Sequence, residues 1–161
     1  MGKMKYILLD AANHPEWLEV ARLFTQMYAR MDELGLMLPL AESGAEKWLK
    51  STQNTNGKFG MVVLAKESDL AAGFAHGMIK FLPDYLGGYA VGTITHVFVD
   101  EKARRAGVGK QLVHELEEWF RMKKVLSIEL QVITGNPVAK EFWKELGYME
   151  ELVQYRKTWQ Q

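Results

Sequence analysis

The run from Ala90 to Phe120, AVGTITHVFVDEKARRAGVGKQLVHELEEWF, constrains what this chain can fold into more than any other stretch. It opens on Val, Ile, Thr and Phe, the residues of a strand. It closes on Val108, Leu112, Val113, Leu116, Trp119 and Phe120, an apolar stripe at helical spacing with charges on the opposite face. Between them lies RRAGVGK, with two glycines two apart and a lysine. Glycines let a backbone turn with its N–H groups pointing one way, and a helix N-terminus adds about half a positive charge. The first helical turn, Val108 to Gln111, carries no Asp or Glu that would fill such a site internally, and Lys110 adds a cation.

Two familiar phosphate loops fail here. A P-loop needs a glycine where Arg104 stands and a Ser or Thr where Gln111 stands. A dinucleotide fingerprint needs a third glycine where Leu112 stands. What remains is an Arg-x-x-Gly-x-Gly loop. Its spacing is compatible both with an anion cradle and with a tight turn bearing two solvated arginines.

The 161 residues suffice for one domain, expected to span 1–161, and 20 basic residues balance 20 acidic ones. No global field therefore favours nucleic acid or an anionic membrane, and any anion site must be local. Without cysteine there is no disulfide, no thiolate metal site and no cysteine nucleophile, and no metal site is expected. The opening MGKMKYILLDAANHPEW has no long apolar run, so neither a signal peptide nor a membrane span is expected, and the expected compartment is cytoplasmic.

Along the rest of the chain, Lys5 to Ala11 reads as a first strand. Trp17, Val20, Ala21, Phe24, Met27, Tyr28 and Met31 keep one helical face. Glu42 to Thr52 reads as a short second helix with Trp48 and Leu49 inward, and NTNGK as a hairpin-type linker. FGMVVLAK and AGFAHGMIKFL read as strands, followed after the Ala90–Phe120 unit by the strand VLSIELQVI, the helix NPVAKEFWKEL and a last strand, YMEELVQYRKTW.

With these segments in place, VFVDEKARRAGVGKQLV resembles the central motif of the GCN5-related N-acetyltransferase (GNAT) family, and NPVAKEFWKELGY resembles its second motif. The element order is similar to that fold over nearly the whole chain. The resemblance implies an α+β, three-layer architecture: a mixed, mostly antiparallel six-stranded sheet with splayed central strands, and four helices. It implies acetyl transfer from acetyl-CoA to a primary amine by direct attack in a ternary complex. The acceptor would be a small molecule or a peptide, and a homodimer is compatible with the fold. An acyl-CoA sensor or scaffold of the same fold is the alternative.

By the same resemblance, Arg104, Arg105, Ala106, Gly107, Val108, Gly109 and Lys110 form the pyrophosphate loop. Val97, Phe98 and Val99 pair with the pantetheine arm, and an N–H near Val97 polarises the thioester carbonyl. Asn136 contacts the cofactor, although Asn before Pro137 is also good helix-capping chemistry. Trp143 stands beside the cofactor where many members carry a tyrosine acid, and an indole cannot deliver a proton at neutral pH. Thr93 and Thr95 stand where members place a Glu or His base. Their hydroxyls can hold a water but cannot act as bases. His96 is the nearest group of suitable pKa. Strict alternation sets it on the face opposite Thr93, Thr95 and Val97 unless a bulge intervenes, which favours a water route for the amine proton. His76 is a more distant candidate. Tyr28, Asp32, Tyr85 and Tyr89 are the candidate acceptor-lining residues.

Overall fold

The computed structural model describes residues 2–10, 15–104 and 106–159. Its frame is a five-stranded sheet in the order β1 (Met4–Leu8), β2 (Gly60–Glu67), β3 (Leu70–Phe81), β4 (Ala90–Val99) and β5 (Ile128–Leu130). Neighbours are antiparallel except β4 and β5, which run parallel. Helices α1 (Glu16–Glu33) and α2 (Gly44–Thr55) cover one face, while α3 (Val108–Met122) covers the other with α4 (Pro137–Glu145) beside it. The result is the expected three-layer α/β/α arrangement with four helices. Among the described residues no helix is long and apolar enough to cross a membrane.

Each layer follows from its apolar spacing. Helix α1 buries Trp17, Val20, Leu23, Phe24 and Met27 against Val62, Leu64 and Phe74 of the sheet. Trp48 of α2 stacks on Phe24 with centroids 4.1 Å apart. On the opposite face α3 buries all six residues of its stripe. Phe120 seats directly on the sheet backbone. A Cβ added at Gly77 would stand 2.6 Å from its ring, and one at Gly92 would stand 2.7 Å from it. Two glycines on adjacent strands thus hollow out a niche that any side chain would fill.

Three expectations change. The first strand spans Met4–Leu8 rather than reaching Ala11, which lies outside the described residues. Most of the NTNGK linker's first half belongs to α2, which runs to Thr55. The sixth strand is absent as a ladder member. Residues 149–159 carry no assigned secondary structure and are exposed throughout, because no neighbouring strand accepts their backbone groups.

Candidate active site

Strands β4 and β5 pair only from Gly92 to Ile94, against Ile128 to Leu130, and then part. From Thr95 to Val99 no strand pairs the β5-facing edge of β4 among the described residues. At this parting point the β3–β4 register slips by one. His76 pairs His96 and Gly77 pairs Ile94, leaving Thr95 as the extra residue of a β-bulge. The slip reverses the alternation. Ile94 faces α3 before the bulge, while Val97 and Val99 face α3 after it. His96 and Phe98 therefore turn toward α1 and α2, where the His96 ring lies 5.2 Å from Phe24, 5.4 Å from Trp48 and 6.3 Å from Tyr28. Thr95 and His96 share a face, and Val97 leaves it, contrary to strict alternation. A signal was present in the sequence. The α3-facing apolar series steps from Ile94 to Val97 to Val99, a stride of three and then of two.

Thr95 is the hub of the cluster. Its hydroxyl donates to the His76 carbonyl at 3.2 Å and lies 2.5 Å from His76 Nδ1 and 2.8 Å from His96 Nδ1. A hydroxyl has one proton and two lone pairs. With the proton on a carbonyl, both imidazoles must donate Nδ1–H to Thr95 Oγ1. That tautomer leaves a lone pair on Nε2 of each ring, and His76 Nε2 is buried without a partner. Thr93 Oγ1 is likewise buried and unpartnered. Burial lowers His76 to about 4, and burial together with the neighbouring His76 lowers His96 to about 3, so both rings are neutral at pH 7. His76 is thus an immediate partner of Thr95 and His96 rather than a distant candidate; its register position opposite β4 became visible only with the ladder.

The glycine loop lies at the open end of the splay. Asp100 accepts from Lys102 N at 3.0 Å and starts the turn. Arg104 bends back, with Nε donating to the Val99 carbonyl at 3.0 Å and its guanidinium 5.8 Å from the Phe98 ring. Arg105 lies outside the described residues. Gly107 takes φ 75°, the left-handed region that favours glycine, and a Cβ there would meet nothing within 4 Å. No side chain caps α3 and its first turn carries no acid. The N–H groups of Val108, Gly109 and Lys110, in the first turn of the helix, have no helical acceptor. Gly109 closes against α4, since a Cβ on it would stand 3.3 Å from Phe142. Lys110 pairs with Glu145 at 3.5 Å across an exposed surface.

On the far side of the splay, Asn136 Oδ1 accepts from Ala139 N at 3.1 Å, so Asn136 does cap α4. Trp143 packs edge-on between Phe142 and Tyr148. The Tyr148 hydroxyl donates to Glu117 Oε1 at 2.8 Å, and burial, then Glu117, pushes its pKa up. Tyr148 is therefore bound to α3 rather than packed on a last strand.

The acceptor candidates divide. Tyr28 and Asp32 line one cavity of about 250 Å³ with Thr25, Leu36 and Leu40. Its loop presses on the one carrying Asn136. A Cβ on Gly135 would stand 2.6 Å from the Leu34 carbonyl. Tyr85 and Tyr89 are instead exposed on the loop before β4, well away from the bulge along the strand.

A sheet splayed at its centre, with a glycine-led helix that no side chain caps at the open end, is the arrangement the family resemblance implies. The open space before Gly107 and the acid-free first turn fit a pyrophosphate. The acetyltransferase (GNAT) family profile matches residues 18–148, and the chain belongs to that family. It is an acetyl-CoA-dependent N-acetyltransferase. No curated protein matches the sequence. Among solved structures, the aminoglycoside N-acetyltransferase AAC(6')-Iy in complex with CoA has a TM-score of 0.77 at 18% identity, covering 98% of this chain and 96% of that one. The aminoglycoside acetyltransferase meta-AAC0020, from an uncultured soil metagenomic sample, in complex with sisomicin, gives 0.72 at 19%, covering 98% and 97%. Glucosamine-6-phosphate N-acetyltransferase from Arabidopsis thaliana gives 0.69 at 17%, covering 98% and 99%.

Proposed function

We propose that the chain transfers acetyl directly to a primary amine of a small polar molecule held on the α1–α2 face, with His96 as the base. The observation that carries this is the bulge, which brings His96, Thr95 and His76 onto one face where β4 and β5 part. Acetyl-CoA, when bound, supplies an acetyl group activated as a thioester. Backbone N–H groups from Ala106 to Lys110, with Arg105, would hold its pyrophosphate, and the β4 edge from Val97 to Val99 would pair with its amide-bearing arm, Arg104 Nε releasing the Val99 carbonyl. Asn136 has its amide N–H groups left for the same arm, its oxygen being taken by the cap.

The chain's own groups then divide the work. Asp32 draws the acceptor's ammonium form into the cavity, and Tyr28 lies between that cavity and His96. The amine reacts after losing its proton to solvent. As its new bond forms, its remaining N–H becomes acidic enough for even a weakened imidazole to accept. His96 Nε2 takes that proton while Thr95, fixed by the His76 carbonyl, holds the ring by Nδ1. Trp143 contributes packing beside the cofactor site, and Tyr148 is committed to Glu117.

The test is His96→Gln with a panel of amines, following thioester consumption. The expected loss in kcat/KM is about 10²-fold or more, with CoA affinity retained. Because burial holds His96 near 3, the wild-type profile should show no histidine limb near pH 6.5 and should track the amine's own titration. A folded, CoA-binding variant with unchanged kcat/KM refutes the assignment and leaves water as the proton carrier.

A further inference from the structure

The cavity that Tyr28 and Asp32 line says more about the acceptor than where it sits. Its volume of about 250 Å³ falls below the roughly 300 Å³ at which drug-sized ligands begin to fit, so its occupant is small. Asp32 is the one charged residue of the lining among the described residues. Ala29, Leu36, Leu38, Pro39 and Leu40 form an aliphatic wall around it. The Asp32 carboxylate is exposed and has no ion-pair partner among the described residues, the neighbouring Arg30 being turned to Glu33 at 2.9 Å.

The loop after α1 supplies a second observation. It reads Leu34-Gly35-Leu36-Met37-Leu38-Pro39-Leu40, and part of it stays out of the core. Met37 is 65% exposed and Leu38 50%. Apolar side chains left at the surface beside a cavity mark a surface that something apolar covers. A polycation does not suit that wall. Its further charges would lie against Leu36, Leu38 and Leu40, where nothing replaces the water they lose. The hydroxyls of a sugar would meet the same wall at the same kind of cost. One carboxylate beside an aliphatic wall matches a molecule with one ammonium head and an apolar body: the carboxylate attracts the head, and the wall takes the body out of water.

We infer that the acceptor is a small amphiphilic monoamine, a single primary amine on an aliphatic or aromatic body that lies against Leu36, Leu38 and Leu40. The inference rests on the reading of this face as the acceptor side and narrows it, since the polar part of the molecule is its amine. Holding the acceptor by its body has a chemical use. The ammonium that Asp32 attracts must lose its proton before it reacts, and a neutral amine no longer binds a carboxylate as an ion. The covered body then keeps the molecule in place while the head passes Tyr28, whose ring lies 6.3 Å from His96.

Straight-chain amines test this, because propylamine, butylamine, pentylamine and hexylamine share one head and differ only in body. Each added methylene should raise kcat/KM about fourfold, so hexylamine should exceed propylamine by roughly 60-fold. The α,ω-diamine of hexylamine's length, with a second charge, and glucosamine, with a polyol body, should both fall at least about tenfold below hexylamine. Leu38→Glu, at a half-exposed position, should flatten the series and bring the diamine level with hexylamine or above it. Asp32→Asn should lower every member alike and keep the slope. Calorimetric titration of the same amines into the CoA-loaded protein separates this inference from the reading it rests on. His96→Gln should cost rate yet keep the slope in affinity. A slope in affinity without turnover would leave the monoamine site standing and remove acetyl transfer through His96. An affinity that is flat or falls from propylamine to hexylamine, or a wild type that prefers the diamine or glucosamine, overturns the inference.

Discussion

Lowering the pH from 7 to 5 should destabilise the protein through two named side chains. His76 is held near 4 and His96 near 3, both by burial first, whereas an unfolded histidine titrates near 6.5. Between those values the unfolded chain binds protons that the folded chain refuses. Stability is therefore full above about pH 6.5 and falls as the pH drops toward 4 and then 3. For His76 the difference between pH 7 and pH 5 amounts to about 2 kcal/mol, and His96, coupled to it, adds up to about as much again. The summed slope near pH 5 is at most about 2.7 kcal/mol per pH unit. Urea denaturation at the two pH values measures it, with His76→Gln/His96→Gln as the comparison, because glutamine keeps an amide donor for Thr95 and does not titrate. The double variant is expected to start less stable at pH 7 but to lose several kcal/mol less than wild type on going to pH 5. Parallel pH dependences in the two proteins would mean that the histidines are protonated in the fold, and the tautomer assignment around Thr95 would fall with them.

Two further outcomes bear on the cofactor site. CoA at ~100 times its Kd should stabilise wild type by roughly 2.7 kcal/mol in a thermal or chemical melt, and Gly107→Glu should erase that gain by placing a carboxylate before the uncapped helix; an undiminished gain would move the anion site elsewhere. Trp143→Phe should lower the rate only modestly, through lost packing on Phe142 and Tyr148, and a drop of ~10²–10⁴-fold with CoA affinity intact would reveal a proton-transfer role for the indole.

Helix α3 was legible from spacing alone, whereas its loop was assigned through the family resemblance. Val108, Leu112, Val113, Leu116, Trp119 and Phe120 are the buried residues of α3, because a stripe at that period has one way to meet a sheet. The orientation of His96 was not legible from alternation. A single extra residue at Thr95 turns every later side chain of β4 over, and the clue lay in the apolar stride rather than in the histidine itself. The partnership of His76 with Thr95 depends on the β3–β4 register, a long-range property that neither strand's own composition encodes. The tail failed differently. Its residues have strand propensity, but propensity does not name a neighbour, and within one chain none pairs with it. Tyr85 and Tyr89 were grouped with Tyr28 by chemistry, while the β3–β4 connection carries them to the other end of the strand.

The niche formed by Gly77 and Gly92 sets the aim of the glycine loop from a distance. Phe120 locks the far part of α3 onto β3 and β4, and Gly109 locks the near end between Val99 and Phe142. A rod of 15 residues keyed at both ends, about 22 Å long, has no freedom to slide or roll. Its N-terminal amides accordingly keep a fixed height above the parting of β4 and β5. Bulk added at Gly77 or Gly92 would push the rod off its seat and tilt those amides by a lever's length, although neither glycine approaches the loop. Fine positioning in this enzyme thus resides partly in two residues whose only apparent trait is having no side chain.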